Sequence, residues 1–130
     1  INKTTTAVSA LILANPDLKL IIAASGPDAV GAAAALKQSG KEADIALIGF
    51  DAVPAEVEAL KAGTIDALIA QNPTAMGREL VTSLTDYLAA NPDGGAVTPI
   101  DPKMIDNAVL TAETVDDPAN ADFVYTESCG

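Results

Sequence analysis

Short apolar runs alternate with helix-forming segments along most of this sequence, and that alternation constrains the fold more than any other feature. Three runs are predicted to be buried strands, at 18–24, 44–49 and 64–70. The segments that follow have helical spacing of apolar residues and are predicted to be helices at 28–38, 54–62 and 74–90. A chain that alternates buried strand and helix builds a parallel sheet. The sequence therefore predicts the α/β class, with a parallel sheet flanked by helices.

The remaining elements are fewer and shorter. A helix is predicted over 4–14, a further strand over 108–111 and a second short strand over 123–125. Parallel sheets are normally covered on both faces and contain more strands than this. We therefore expect the 130 residues to form part of a larger fold.

A polar residue follows each of the three predicted strands: Ser25, Asp51 and Gln71. Ligands of such sheets bind just outside the carboxyl ends of the strands, so these residues are expected to face one crevice. A carboxylate accepts hydroxyl protons and an amide both donates and accepts, which suits a sugar or polyol. Each of the three residues also has a purely structural interpretation that the sequence leaves open. Ser25 and Asp51 are also suited to cap the following helices, and Gln71 to be a solvated loop residue.

The composition argues against several functional classes. The net charge is −11, with 18 acidic and 7 basic residues, which disfavours nucleic acid and anionic membrane surfaces as partners. There is no histidine, which removes Ser-His-Asp and Cys-His catalysis and imidazole zinc ligands. Neither GxxxxGK[ST] nor GxGxxG occurs. These absences discount many catalytic machineries, and we expect no catalytic residues, no cofactor and no metal site. A magnesium site made of carboxylates alone stays open in principle, although the sequence suggests no cluster for it.

The lone cysteine, Cys129, leaves the cellular location open. In an exported protein an odd cysteine suggests a partner in another chain or in a missing segment, whereas in the cytosol it is a free thiol. No apolar run reaches 18 residues, so no membrane-spanning helix is predicted. Because the sequence begins at Ile1, we expect a processed chain or an excerpt, and the lack of a leader says little about compartment.

One stretch resembles a known family. Residues 45–77, IALIGFDAVPAEVEALKAGTIDALIAQNPTAMG, resemble the carboxy-terminal half of type I periplasmic sugar-binding proteins. These are the ribose- and galactose-binding solute receptors of ABC importers, and repressors of the same fold share the pattern. The segments NPDLKLIIAASGPDAVGAAAALKQSGK and AVLTAETVDD also fit, so the resemblance covers about 1–116.

The resemblance implies roles for particular residues. In that family the Asp of the GFD motif and the Gln of the iaQ motif hydrogen-bond sugar hydroxyls, and these positions are Asp51 and Gln71 here. The family often has Asn-Asp after the earlier strand, where this chain has Ser25-Gly26, with Asp28 displaced. The resemblance thus implies a sugar or polyol ligand without identifying it.

The resemblance also implies an architecture, the periplasmic-binding-protein type I fold, incomplete in this chain. Residues 1–71 would be part of the second, carboxy-terminal lobe. Residues 72–107 would be a crossing segment with a helix of the first lobe, and 108–130 the return to the second lobe and a tail. The amino-terminal half would be the main partner, in the same protein or as a separate chain, and Cys129 would be placed to bridge to it.

The function that the resemblance implies is that of a solute-binding protein of an ABC importer, not an enzyme, which binds its ligand in a cleft between two lobes. Such a protein is periplasmic or extracellular and meets the membrane through its permease. The alternative is the effector-binding domain of a repressor of the same fold, with its DNA-binding part in the missing half. A stand-alone flavodoxin-like domain or small enzyme is a third reading, and it would fold alone as a compact monomer.

Overall fold

A computed structural model describes residues 2–94 and 102–126. Cys129 and part of the predicted crossing segment lie outside the described residues. The elements are α1 (Asn2–Ala14), β1 (Leu20–Ile22), α2 (Gly26–Ser39), β2 (Ala46–Phe50), α3 (Pro54–Lys61), β3 (Ala67–Ala70), α4 (Pro73–Ala90), β4 (Ala108–Leu110) and a 3-10 helix (Pro118–Phe123). The first seven are the helices and strands predicted between residues 4 and 90, with ends shifted by at most three residues.

The strands form one sheet in the order β1-β2-β3-β4. β1 pairs with β2 and β2 with β3 in parallel, which confirms the predicted parallel sheet. β4 is antiparallel to β3, with Val109 opposite Ile69. An antiparallel edge strand on an otherwise parallel sheet is common, because the chain that returns from a long connection can enter the edge in either direction.

The short strand predicted at 123–125 is wrong. Phe123 instead ends the 3-10 helix, whose start is fixed by Asp117: its Oδ1 accepts a hydrogen bond from the Ala119 amide at 2.8 Å. Pro118 at the first position supports this helix start as well. The chain after it is tied to the core by a backbone hydrogen bond from the Tyr125 amide to the Ala52 carbonyl, at 3.0 Å.

The core lies between the sheet and the layer that contains α2 and α3. Its large, fully buried apolar residues come from both layers and from the chain around them: Leu36, Leu47, Leu60, Ile65, Leu68 and Leu110. The face of α2 that is buried here carries small side chains, among them Ala29, Ala32 and Ala35. Small residues let a helix approach a sheet closely, so the alanine-rich sequence of α2 specifies this packing as well as the helix itself.

The opposite face of the sheet is apolar but exposed. Ile22 is 65% exposed and Val109 66% exposed, and the strand register places both on the same face as Ile48 and Ile69. Buried parallel sheets usually carry helices on this second face. In the part of the chain that the structure describes, the helices therefore cover one face of the sheet only.

Helix α4 also exposes an apolar stripe. None of its described residues is buried, and Leu80 is 71% exposed. The stripe consists of large apolar residues at helical spacing: Met76, Leu80, Val81, Leu84 and Leu88. An amphipathic stripe of this width is typical of a helix that packs on another surface. No helix in the described ranges is both long and apolar enough to cross a membrane.

Gly49 in β2 tests how tightly the two layers are packed. A methyl group there would lie 2.7 Å from Leu68 Cδ2 and 3.1 Å from Ala29 Cβ, so we expect Gly49→Ala to destabilise the intact protein by about 1–3 kcal/mol in urea unfolding. The matched control is Gly77→Ala in α4, where an added methyl meets nothing within 4 Å and helix propensity favours Ala by about 1 kcal/mol. Equal stabilities for the two variants would contradict this packing.

Candidate functional site

The three residues predicted to bind a ligand lie at one edge of the sheet. Because β1, β2 and β3 are parallel, their carboxyl ends meet there, and the pairing of Ile22 with Ile48 brings Ser25 level with Asp51. Gln71 follows β3 directly. Neighbouring strands are about 4.8 Å apart, so three adjacent strand ends span about 10 Å. We call this edge, with the half-buried Ser25, Asp51 and Gln71, the carboxyl-end rim.

Asp51 has an unusual backbone conformation. Its φ is 85°, the only positive value at a non-glycine position among residues 2–94 and 102–126. Asp tolerates this left-handed region better than most residues do, and such conformations concentrate at functional sites. The Asp51 amide still donates to the Ile69 carbonyl at 3.0 Å. The chain therefore turns sharply at Asp51 while its backbone stays tied to β3.

The geometry argues against Asp51 as a simple helix cap. The N-cap position of α3 is Val53, two residues further on, with Pro54 as the first helical residue. The Asp51 side chain instead accepts a hydrogen bond at Oδ1 from the Tyr125 hydroxyl, at 3.0 Å. The carboxylate is thus held by a residue of the carboxy-terminal segment rather than by the adjacent helix.

Tyr125 is a rim residue that sequence reasoning missed. Its hydroxyl bonds Asp51 and its amide bonds the Ala52 carbonyl at 3.0 Å, so the segment after the 3-10 helix is fastened to the β2–α3 loop. Burial, together with the hydrogen bond to Asp51, raises the pKa of Tyr125 to about 12. The phenol is therefore protonated at any physiological pH and remains a donor. No local pattern marks this contact, because 74 residues separate the two partners.

Ser25 is engaged with α2 in a different way from the predicted cap. It occupies the N-cap position, but its hydroxyl donates to Asp28 Oδ2 at 2.8 Å rather than accepting from the helix backbone. Thr4 of α1 donates to the other oxygen, Asp28 Oδ1, at 2.8 Å. The hydrogen bonds from Ser25 and Thr4 lower the pKa of Asp28 and keep it ionised. The Ser25 hydroxyl proton is therefore used in the bond to Asp28, and the Ser25 oxygen remains able to accept a hydrogen bond from a ligand.

Gln71 is not needed to start the next helix. Asn72 is the N-cap of α4, and its Oδ1 accepts from the Ala75 amide at 2.8 Å. The Gln71 side chain therefore plays no part in that cap, and its amide is suited to meet a ligand from the third strand. Its contact with a ligand stays a prediction.

A second carboxyl group lies behind the rim. Glu56 of α3 is fully buried, and its Oε2 accepts from the Val53 amide at 3.1 Å. Its burial, partly offset by the Val53 hydrogen bond and reinforced by the negative charge of Asp51, raises the pKa of Glu56 to about 7. Sequence reasoning did not single out this residue, although it occupies N3 of α3, the position from which a Glu side chain reaches back to the N-cap amide.

The described residues do not suggest a metal centre. Within 2–94 and 102–126, no group of three or more His, Cys, Asp and Glu residues is arranged to hold a metal ion. The rim residues themselves offer hydrogen-bonding groups: one carboxylate, one amide, one serine oxygen and one phenol.

The raised pKa of Glu56 predicts a specific pH dependence of stability. The folded protein binds this proton more tightly than the unfolded chain, so the Glu56 contribution to the free energy of unfolding falls as the pH rises from 4.5 to about 7. Glu56→Gln removes the ionisable group, so we expect its stability relative to the parent to increase by about 3 kcal/mol across this range.

Urea unfolding at several pH values measures this difference, with Glu58→Gln as the control on the exposed face of the same helix. A constant difference between Glu56→Gln and the parent from pH 4.5 to pH 8 would contradict a neutral Glu56 in the folded protein.

Comparisons with known proteins identify the family of the chain. Residues 1–92 match the family model described as "Periplasmic binding protein domain". The chain is 35% identical over 95 residues to the ribose import binding protein RbsB of Salmonella typhimurium, covering 73% of this chain and 31% of that protein. It is 30% identical over 101 residues to the D-allose-binding periplasmic protein of Escherichia coli, covering 75% and 31%.

Two solved structures are also similar, both of ABC transporter solute binding proteins from Agrobacterium vitis. One, bound with alpha-D-tagatopyranose, has a TM-score of 0.83 and 31% identity, covering 97% of this chain and 40% of that one. The other, with bound D-fucose, has a TM-score of 0.77 and 30% identity, covering 94% and 40%. The chain spans about a third of the length of the curated relatives it matches. It belongs to the periplasmic binding protein family.

Proposed function

We propose that this chain is the carboxy-terminal part of a solute-binding protein of an ABC importer, and that the protein binds a sugar or polyol in a cleft between two lobes. The observation that carries the proposal is the carboxyl-end rim, where acceptors and an amide from three adjacent strands converge. The relatives named above support it, since each is named for a sugar or was crystallised with one. The family is one of binding proteins, not of enzymes.

The rim has the chemistry that a polyol requires. Asp51 would accept protons from ligand hydroxyls, Ser25 would accept through its oxygen, and Gln71 would both donate and accept. Hydrogen bonds to a carboxylate are stronger than neutral ones, and a site built to bond hydroxyls discriminates against ligands that lack them. Tyr125 would fix the orientation of Asp51 before the ligand arrives.

The proposed lobes follow the predicted division. Residues 1–71 would lie in the second lobe, 72–107 would cross to the first lobe with α4, and 108–130 would return and form the tail. The exposed apolar stripe of α4 and the exposed sheet face support a further part of the protein packing on both. The ligand would stabilise a closed arrangement, because only there would both lobes contact it.

The proposed partners are the amino-terminal half and the permease of the importer. We place the protein in the periplasm or outside the cell, reaching the membrane through that permease, as the family membership supports. A disulfide from Cys129 to the amino-terminal half would show as a change in mass on reduction when that half is a separate chain.

A thermal-shift screen of the intact protein tests the proposal. The panel contains D-ribose, D-allose, D-tagatose and D-fucose, with amino acids and nucleosides as non-sugar controls. A ligand at about 100 times its dissociation constant adds about 2.7 kcal/mol of stability. We expect a shift with a sugar and none with the controls. A shift with a control only would contradict sugar binding, and ligand-dependent binding of DNA by the intact protein would favour the repressor alternative.

Asp51→Asn tests the central contact of the site. Asn keeps the shape and tolerates the left-handed backbone, but it removes the charge that accepts hydroxyl protons. We expect the affinity for the sugar identified by the screen to fall about tenfold or more, which corresponds to about 1.5 kcal/mol, as measured by titration calorimetry. Asp44→Asn is the matched control, because Asp44 precedes the same strand at its other end and pairs with Lys41. Equal losses in both variants would contradict a ligand contact at Asp51.

Tyr125→Phe tests whether the phenol orients Asp51. The variant keeps the aromatic ring and removes only the hydrogen bond to Asp51 Oδ1. We expect Tyr125→Phe to weaken the binding free energy by about 0.5–1.5 kcal/mol when Asp51 is present. The same substitution should have a much smaller effect in an Asp51→Asn background, because the two side chains would act as a unit. Additive effects of the two substitutions would contradict this coupling.

A further inference from the structure

The carboxyl group of Glu56 is sealed between α3, α2 and β2. The residue has no exposed surface, and Oε1 is the one buried side-chain oxygen or nitrogen without a hydrogen-bond partner in the described chain. Two glycines make the room for it. A methyl group at Gly49 would lie 2.9 Å from Oε1, and one at Gly26 would lie 3.0 Å from Oε2. A carboxylate anion is costly in such a place because no donor replaces the water that its Oε1 has lost.

The other oxygen holds the loop that carries the site. Glu56 Oε2 accepts from the Val53 amide at 3.1 Å, and Val53 lies two residues after Asp51. The carbonyl between them, on Ala52, accepts from the Tyr125 amide, and the Tyr125 hydroxyl donates to Asp51. The loop 51–53 is therefore supported from behind by Glu56 and from the front by Tyr125. The turn at Asp51 has a φ of 85°, a conformation that persists only when its surroundings enforce it.

Among the described residues, the one hydrogen bond to the Glu56 carboxyl comes from the Val53 amide, which favours the ionised form but leaves Oε1 without a donor. The groups next to its carboxyl from α2, β2 and the loop are Gly26, Gly49 and Val53, and none of them is ionisable. The ionisable group that raises the pKa of Glu56 within the described chain is Asp51, and the neighbouring Tyr125 phenol is neutral. An ionised Glu56 would therefore add a second negative charge close to Asp51, and like charges disfavour one another.

We propose that Glu56 is a positioning residue for Asp51: its neutral form supports the loop 51–53, and its loss of a proton to solvent displaces Asp51 and weakens binding of the ligand. The proposal rests on the proposed function for its ligand, but the displacement of Asp51 does not. The raised pKa of Glu56, about 7, places the change in the physiological range.

The first test needs no ligand. In the intact protein, the backbone amide resonances of Val53 and Asp51 are followed by NMR from pH 5.5 to pH 8.5. We expect both to titrate with a midpoint near pH 7 in the parent and in Glu58→Gln, and neither to titrate there in Glu56→Gln. A titration of Val53 alone would mean that Glu56 only caps α3, and it would overturn the proposal. If Glu56→Gln does not fold, the parent titration alone decides between these outcomes.

The second test measures affinity for D-ribose at pH 6 and pH 8.5 by titration calorimetry. We expect the dissociation constant of the parent and of Glu58→Gln to rise about fivefold or more at the higher pH, the lower end of typical coupling between sites. We expect that of Glu56→Gln to stay constant. A pH dependence that survives in Glu56→Gln would overturn the proposal. If D-ribose does not bind, the failure concerns the choice of ligand in the proposed function, and the amide titration still decides the role of Glu56.

Discussion

The close approach of α2 to the sheet at Gly49 is the constraint on which the rest of the structure depends. A methyl group at this position would lie 3.1 Å from Ala29 Cβ on α2 and 2.7 Å from Leu68 Cδ2 on the neighbouring strand, so α2 packs on β2 with no room for a side chain at this point. This contact fixes where α2 starts relative to the end of β2, and with it the relative positions of Ser25 and Asp51. The same gap also contains the Glu56 carboxyl. The packing that stabilises the fold therefore also determines the electrostatics behind the rim.

The rim could be predicted from the sequence because its logic is local and periodic. Each of the three parallel strands is recognisable in the sequence as an apolar run. Parallel strands bring the residues that follow them, such as Asp51 and Gln71, to the same edge of the sheet. The direction of β4 and the presence of the 3-10 helix could not be predicted from apolar periodicity. A three-residue strand has too little pattern to specify its partner, and the turn at Asp117 depends on a single side chain. Tyr125 was missed because its contact with Asp51 joins segments that share no local signal.

Glu56 could not be predicted for a different reason. An acid in the first turn of a helix is ordinarily solvated and favourable there. Its burial follows from glycines at 26 and 49, which lie on two other elements and become neighbours only after folding. A buried acid with one orphaned oxygen is an energetic cost that the fold retains. Proteins retain locally unfavourable groups of this kind mainly at functional sites. Glu56 accepts a hydrogen bond from the Val53 amide, and Asp51 lies two residues before Val53.

As the proposed binding site, the rim is incomplete by itself, and the exposed apolar surfaces indicate how it would be completed. Half-buried polar groups on one edge of a sheet leave the far side of any bound polyol in water, where hydrogen bonds gain little. A second wall would exclude that water and strengthen each bond to Asp51 and Gln71. The described chain has two exposed apolar surfaces, the sheet face around Ile22 and the stripe of α4 around Leu80. A part of the protein that packs on both surfaces would also supply the second wall of the site. Burial of the apolar surfaces and enclosure of the ligand would then occur together.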